Sequence, residues 1–275
     1  MQNASKNGKV AAIWSSDGGD VPYLKYSIFS FEKCCKRAHD IVILCRKDVN
    51  LTIIERMTHI IRIDPTEILT RIGVKESEHF GKWRFPIFYK LAIPLIDQLR
   101  DYESVANFDS DILFIQRKDF TIDGLFDYPL HDSEVAGVPD LNLSSMRGGV
   151  VAVMDTPNDI KDELSERVWV PSGTLQRSYI NVGVLRWNLS KIEIDWYERR
   201  IKAFWNQRIK PGNTRKYHFP EQDFINSMLR VDSGLASRYN CLCNRFYHEK
   251  DICARHYVGS HKKDMIELGR KTYGF

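Results

Sequence analysis

Ser104-Val105-Ala106-Asn107-Phe108 runs straight into Asp109-Ser110-Asp111. The first five residues are a short, mainly apolar run of strand type, and the last three place two carboxylates at its end. In an extended segment alternate side chains project to the same side, so Asp109 and Asp111 share one site while Ser110 points the other way. Two hard oxygen ligands placed in this way suit Mg²⁺ or Mn²⁺, with positions left open for the oxygens of a diphosphate. Taken alone the pattern is weak, because in a chain with 36 acidic residues a D-x-D also arises by accident in surface turns.

Outward from this stretch the strand signal repeats. Val10 to Ser15 is an apolar run ended by the break Asp17-Gly18-Gly19-Asp20, and Asp40 to Cys45 and His59 to Ile63 are two more. Helical patterns lie between them, from Val21 to about Cys35 and from Thr52 to Met57. This alternation predicts an α/β protein with a Rossmann-like, mostly parallel central sheet flanked by helices. Phe85 to Leu99 has helical periodicity, with Pro86 near its start and Pro94 bending its interior. Strands are further expected at Val135 to Pro139, Gly149 to Met154 and Val182 to Asn188, and helices at Ile192 to Asn206 and Glu221 to Leu229. Ligands of open α/β sheets gather beyond the carboxyl ends of the strands, which singles out Asp17, Asp109, Asp111 and Asp140.

With 275 residues, 43% of them hydrophobic, the chain has apolar mass for one sizeable core. A single domain over 1–275 with elaborated C-terminal structure is expected, ending in a basic-aromatic tail at 263–275. The net charge of +4 is mild and gives no reason to expect a nucleic-acid partner. The first residues resemble neither a cleavable leader nor a membrane span, so a cytoplasmic location is expected. Cys241-Leu242-Cys243 with Cys253 lacks the C-x-x-C pairs of structural zinc sites, and buried thiols are the expected reading. Lys262, Lys263, Arg270 and Lys271, interleaved with Tyr257, Tyr273 and Phe275, would either rest on an anionic membrane surface as a peripheral contact or form a solvated face.

Seven short motifs stand in order along the chain. They are Asp17 followed by Val21-Pro22-Tyr23-Leu24; Tyr89-Lys90-Leu91-Ala92-Ile93-Pro94; Phe108-Asp109-Ser110-Asp111; Ala136-Gly137-Val138-Pro139-Asp140; Tyr179-Ile180-Asn181-Val182-Gly183-Val184-Leu185 with Asn188-Leu189; Glu221-Gln222-Asp223-Phe224-Ile225-Asn226; and His256-Tyr257-Val258-Gly259-Ser260-His261-Lys262. Through them, from about Val10 to Lys262, the sequence resembles the family 8 glycosyltransferases, the group that contains bacterial lipopolysaccharide and lipooligosaccharide galactosyl- and glucosyltransferases and glycogenin. The resemblance implies a GT-A fold, with a nucleotide-binding half at about 8–115 and a sugar and acceptor half at about 116–262, and a retaining, metal-dependent transfer of glucose or galactose from a UDP-sugar to a glycan or glycoconjugate acceptor. It also implies that Asp109, Asp111 and His256 coordinate Mn²⁺ or Mg²⁺, with Gly259 and Lys262 approaching the diphosphate. Asp140 and Asn181 would hold sugar hydroxyls, and Gln222 would lie near the anomeric carbon with Glu221 beside it. Asp17, Gly18, Gly19, Lys90 and Ser110 would complete the donor site. Without the family, His256 reads as an ordinary half-buried histidine, Lys262 as a solvated one, Asn181 as a strand-edge turn, and Glu221 with Gln222 as the first turn of a helix.

The chain also departs from the family pattern. Asp17-Gly18-Gly19-Asp20 replaces Asp-Asp-Asn-Tyr, so the ring that would stack on uracil is missing, and Tyr23 is the nearest candidate to replace it. Lys90 stands where the family has Arg, which loses a bidentate fork, and Arg84 is the guanidinium that would reach in its place. Glu221 replaces the first Asp of Asp-Gln-Asp, and the block from Asn240 to Arg255 fits no motif and is left to acceptor recognition. Front-face attack, with the leaving diphosphate helping to deprotonate the acceptor, is the expected route; a covalent intermediate on Glu221 or Asp140 is the alternative. Two other classes stay open. A sugar-nucleotide nucleotidyltransferase should have a basic Gly-rich loop where this chain is acidic, and a non-catalytic sugar-nucleotide-binding protein would share the fold.

Overall fold

The computed structural model describes residues 8–75, 84–140, 179–206, 220–243 and 251–274. Its strands are β1 (Val10–Ser15), β2 (His39–Leu44), β3 (Ile60–Ile63), β4 (Ser104–Phe108), β5 (Ile112–Phe114), β6 (Val135–Pro139), β7 (Ile180–Trp187), β8 (Val231–Asp232), β9 (Cys241–Leu242) and β10 (Ala254–His256). Its helices are α1 (Val21–Cys34), α2 (Thr52–Glu55), α3 (Thr66–Arg71), α4 (Asp123–Phe126), α5 (Ile194–Phe204), α6 (Pro220–Met228) and α7 (Lys262–Tyr273). The strand expected from Gly149 to Met154 lies outside the described residues.

Seven strands make the central sheet, in the order β3-β2-β1-β4-β7-β6-β8. Only β7 runs against its neighbours β4 and β6; the other pairings are parallel. In β1, Ala11 and Ile13 join the core on one face, while Val10, Ala12 and Trp14 pack with Leu24, Ile28 and Phe31 of α1 on the other. A strand covered on both faces needs apolar side chains at every position, which is why its sequence reads as an unbroken run. A second sheet, β5-β10-β9, stands at the end of β4.

One expectation changes. The helical stretch expected from Phe85 to Leu99 is two 3₁₀ runs, Phe85–Leu95 and Asp97–Asp101. Pro94 has no N–H to give the carbonyl of Lys90 and its ring crowds the preceding turn, so an α-helix does not continue through it. The basic-aromatic tail is mainly the helix α7, docked on α1 by Met265, Gly269 and Tyr273 at i, i+4 and i+8. Gly269 lies flat on the Tyr26 ring, and the Tyr273 and Phe29 rings meet at 5.0 Å. Lys263, Leu268, Arg270 and Lys271 stay on the outer side. All six cysteines are free thiols, with only Cys243 half-buried and the rest buried. No helix among the described residues is long and apolar enough to cross a membrane.

One buried ion pair fixes α6 against the sheet. Glu134, just before β6, takes bonds from Arg200 Nη2 at 2.8 Å and Nη1 at 3.1 Å, and from the Arg230 backbone N–H at 2.9 Å. Arg200 also donates to the Met228 carbonyl at the end of α6, and its guanidinium lies 3.3 Å from the Trp196 ring centre. Removing one partner leaves the other charge buried without compensation, which costs about 3–5 kcal/mol. Arg200→Met should therefore lower stability by about that amount in urea denaturation, and a loss below about 1 kcal/mol would show the clamp to be dispensable.

Candidate active site

The chain leaves β4 at Phe108 and enters β5 at Ile112, so the Asp109-Ser110-Asp111 link bridges the two sheets. Its backbone is pinned at both ends. The Asp109 N–H donates to the Gly183 carbonyl at 2.8 Å, and the Tyr257 N–H donates to the Asp111 carbonyl at 2.8 Å. Antiparallel pairing sets His256 opposite Ile112, next to the link. His256 Nε2 lies 3.2 Å from Asp111 Oδ1 and 3.8 Å from Asp109 Oδ2. One ligand atom from each of these three residues falls within 4.8 Å of the others, and this is the single such group among the described residues. The imidazole reaches this position because residue 183 is glycine: a Cβ there would collide with the ring.

A chain of amides sets the tautomer of His256. Asn181 Oδ1 accepts from the Gly183 backbone N–H at 2.9 Å, which identifies that atom as oxygen. Asn240 must then turn its Nδ2 toward it, at 2.8 Å, and its Oδ1 toward His256 Nδ1, at 2.9 Å. His256 therefore carries its proton on Nδ1 and presents Nε2 to the carboxylates, the arrangement of a metal-ligating histidine with an oxygen behind it.

Two lysines compensate the carboxylates. Lys90, buried within the first 3₁₀ run, donates to Asp109 Oδ1 at 2.9 Å and to the Val182 carbonyl at 3.3 Å. Lys262, the first residue of α7, lies 2.8 Å from Asp111 Oδ2. Burial works against every charge here, yet His256 and Lys262 hold the Asp111 carboxyl well below the usual carboxylate range. The same balance of burial against opposite charge raises Lys90, through Asp109, and both His256 and Lys262, through Asp111.

Beyond β6 and β7 the polar chain continues. Asp140 Oδ2 takes bonds from Asn181 Nδ2 at 3.2 Å and Gln222 Nε2 at 3.3 Å, while Gln222 Oε1 accepts from the Val182 N–H at 3.2 Å. Glu221 is buried, and its Oε2 has no hydrogen-bond partner. Burial, only partly offset by Lys90, pushes its carboxyl up to about 7. Tyr179 donates its hydroxyl to Asp223 at 2.5 Å.

The loop after β1 borders this site. Ser16 Oγ donates to Asp20 at 2.5 Å, and Ser110 also bonds Asp20, so that carboxyl faces inward and its pKa is raised by burial. Asp17 accepts from the Gly19 N–H at 2.9 Å and from Arg84 Nη1 at 3.3 Å. Tyr23 is half-buried in a cluster with Tyr26, Leu113, Tyr257 and Met265, and its ring is 5.6 Å from the Lys262 ammonium.

No family model and no curated protein sequence matches the chain. Solved structures do match. The apo structure of the bifunctional glycosyltransferase WbbM superposes with a TM-score of 0.66 at 18% identity, over 99% of this chain and 51% of that one. The galactosyltransferase LgtC, in complex with donor and acceptor sugar analogues, gives 0.63 at 16% identity over 95% of both chains. Mouse xyloside xylosyltransferase 1, in its apo form, gives 0.55 at 12% identity over 90% of this chain and 96% of that one. The fold is that of the GT-A glycosyltransferases. This chain spans about half the length of WbbM.

On this GT-A frame the structure joins Asp109, Asp111, His256, Lys262, Lys90, Asp140, Asn181, Glu221 and Gln222 in one network of polar contacts, with Asp17, Gly18, Gly19 and Ser110 on its β1 side. Gly259 sits in the turn before α7 with φ +61°. Arg84 reaches Asp17 and Gly19, while Lys90 faces Asp109. Asn240 is the residue that sequence reasoning missed. The block around it follows no motif, and the signal was only that a buried histidine ligand requires an oxygen behind it.

Asn240→Leu should lower Mn²⁺ affinity about 10- to 100-fold by releasing the His256 tautomer, and unchanged affinity in a metal titration would remove that role. Glu221 gives a pH signature. Its carboxyl rises from 4.5 to about 7 on folding, so the folded state binds the proton more tightly, and stability should fall as pH climbs through that window. Glu221→Gln should lose this component: compared at about pH 5 and about pH 8 in EDTA, wild type weakens relative to the variant, and parallel denaturation profiles would refute the shift.

Proposed function

We propose that the protein is a metal-dependent, retaining hexosyltransferase that moves glucose or galactose from a UDP-sugar to a hydroxyl of a glycan or glycoconjugate. One observation carries this reading: at the end of β4, on a GT-A fold, the Asp109–Asp111–His256 cluster meets Lys262 on one side and the Asp140–Asn181–Gln222 network on the other. That LgtC was solved with donor and acceptor sugar analogues supports a sugar donor and a sugar acceptor.

In this reading Asp109, Asp111 and His256 hold Mn²⁺ or Mg²⁺. Two carboxylates and an imidazole with Nε2 turned inward are a suitable donor set for Mn²⁺. When bound, the ion supplies positive charge beside the diphosphate. Lys90 engages Asp109 Oδ1 and so leaves Oδ2, the oxygen 3.8 Å from His256, for ligation. Lys262 opens a 12-residue helix, so its ammonium and the N-terminal amides of α7 would face one anion. Gly259 keeps the preceding turn free of a side chain where the diphosphate backbone would approach.

Asp140 and Asn181 would receive the hexose hydroxyls. The Gln222 amide is fixed at both ends, which suits it to positioning the sugar. With its carboxyl near 7, Glu221 is largely protonated below neutrality and makes a poor nucleophile there. The reaction that fits is front-face displacement. The bond from the anomeric carbon to the diphosphate oxygen breaks, the acceptor oxygen bonds to the same face, and its proton passes to the departing phosphate. Lys262 meets the charge that develops on that phosphate.

Calorimetry with UDP-glucose and UDP-galactose should show donor binding only with Mn²⁺ or Mg²⁺ present, and Asp111→Asn should abolish it. Equal affinity with and without the ion would overturn the ligand assignment. Metal-dependent hydrolysis of the bound donor should follow without acceptor, and binding without hydrolysis or transfer would favour a non-catalytic sugar-nucleotide-binding protein.

A further inference from the structure

The loop after β1 carries no aromatic ring on its outer side. Asp20 is turned inward to Ser16 and Ser110, and Tyr23 is packed into the Tyr26–Leu113–Tyr257–Met265 cluster. The group that stands over the loop is the Arg84 guanidinium. A Cβ on Gly19 would lie 2.7 Å from Nη2 and 3.0 Å from Cζ, and closer still to Nη1. Both terminal nitrogens are thus nearer than the central carbon, so the plane meets Gly19 by its edge. Asp17 tethers Nη1 at 3.3 Å, and the side chain is 66% exposed, so most of its surface faces solvent. Glycine at 19 is what admits this plane to the loop. A guanidinium is planar, delocalised and weakly hydrated, and nucleic-acid bases stack on it as they do on aromatic rings.

We infer that Arg84, standing on Gly19 and tethered to Asp17, is the platform against which the nucleotide base of the donor stacks. The inference rests on the nucleotide-sugar reading above, in which the resemblance already sets Asp17, Gly18 and Gly19 in the donor site, and adds Arg84 to them. The Asp20–Ser110 hydrogen bond joins the loop to the Asp109-Ser110-Asp111 link, so the loop that Arg84 contacts is fixed beside the carboxylates. A flat cation offers the same face to any base, so Arg84 supplies affinity, while choice of base falls to hydrogen bonds around Asp17.

The test separates a base platform from a phosphate clamp. UDP and ribose 5-diphosphate, which lacks the base, are titrated by calorimetry with Mn²⁺ into wild type, Arg84→Ala, Arg84→Trp and Gly19→Ala. Arg84→Ala should weaken UDP about ten-fold or more and leave ribose 5-diphosphate within about two-fold. Arg84→Trp should restore UDP binding, because a ring can stack but cannot bond phosphate. Gly19→Ala should displace the guanidinium and reproduce the Arg84→Ala loss, and the double variant should be no weaker than either single one. Equal loss for both ligands, or failure of the Trp variant to rescue at unchanged melting temperature, overturns the platform. If wild type binds UDP tightly and residue 84 makes no difference, the inference alone falls. If wild type binds no nucleotide with Mn²⁺, the functional reading falls and takes the inference with it.

Discussion

Two carboxylates two residues apart at the end of a buried strand, Asp111 buried and Asp109 half-buried, set like charges side by side and call for positive charge beside them. In this protein three separate elements answer that demand. Lys90 comes from the 3₁₀ run, His256 from β10 and Lys262 from the first turn of α7, and each meets Asp109 or Asp111. The second sheet exists to make this possible: β10 pairs with β5 directly after the acidic link, and the Tyr257 N–H closes on the Asp111 carbonyl. Charge compensation and backbone pairing thus specify the same arrangement, and a slip of one residue in β10 would carry His256 to the opposite face.

The polar chain that runs from His256 to Asp140 is ordered by a similar economy. One backbone N–H, that of Gly183, orients Asn181, which orients Asn240, which fixes the proton of His256. A second, that of Val182, orients Gln222 toward Asp140. Both amides belong to β7, the strand that reverses direction within the sheet, so the Asp109–Asp111–His256 cluster and the Asp140–Gln222 pair are aligned by one rigid element. The Glu134–Arg200 pair then holds the Met228 end of α6, the helix bearing Gln222, to the start of β6, the strand whose far end leads to Asp140.

Much of this was legible in the residues. The apolar runs at β1, β2 and β4 and the carboxylates at the end of β4 announced a mostly parallel sheet with a site at its edge, because fully buried strands and strand ends have strong local signatures. The short strands β5, β8, β9 and β10 were not legible, since two or three residues hold no periodicity and form only through long-range pairing. The 3₁₀ geometry around Lys90 was masked by a helical pattern of apolar residues, although Pro94 pointed to it. Asn240 was hidden for another reason: a residue whose role is to orient a distant histidine leaves no trace in the local pattern. The buried face of α7 was visible in retrospect as Met265, Gly269 and Tyr273, but the basic residues around them drew the eye to the outer side.

The separation in sequence between β5 and β10 has a consequence for how the protein is made. Ribosomes deliver the chain from its amino end, and domains begin to fold as they emerge. The four parallel strands β1 to β4 and the acidic link are synthesised well before Ala254–His256 and the start of α7 exist. A nascent chain could therefore assemble most of its sheet while holding two carboxylates without the histidine and the second lysine that complete their surroundings. The Asp109–Asp111–His256 cluster therefore closes only when β10 pairs with β5, and no earlier stretch of the chain can form it by itself.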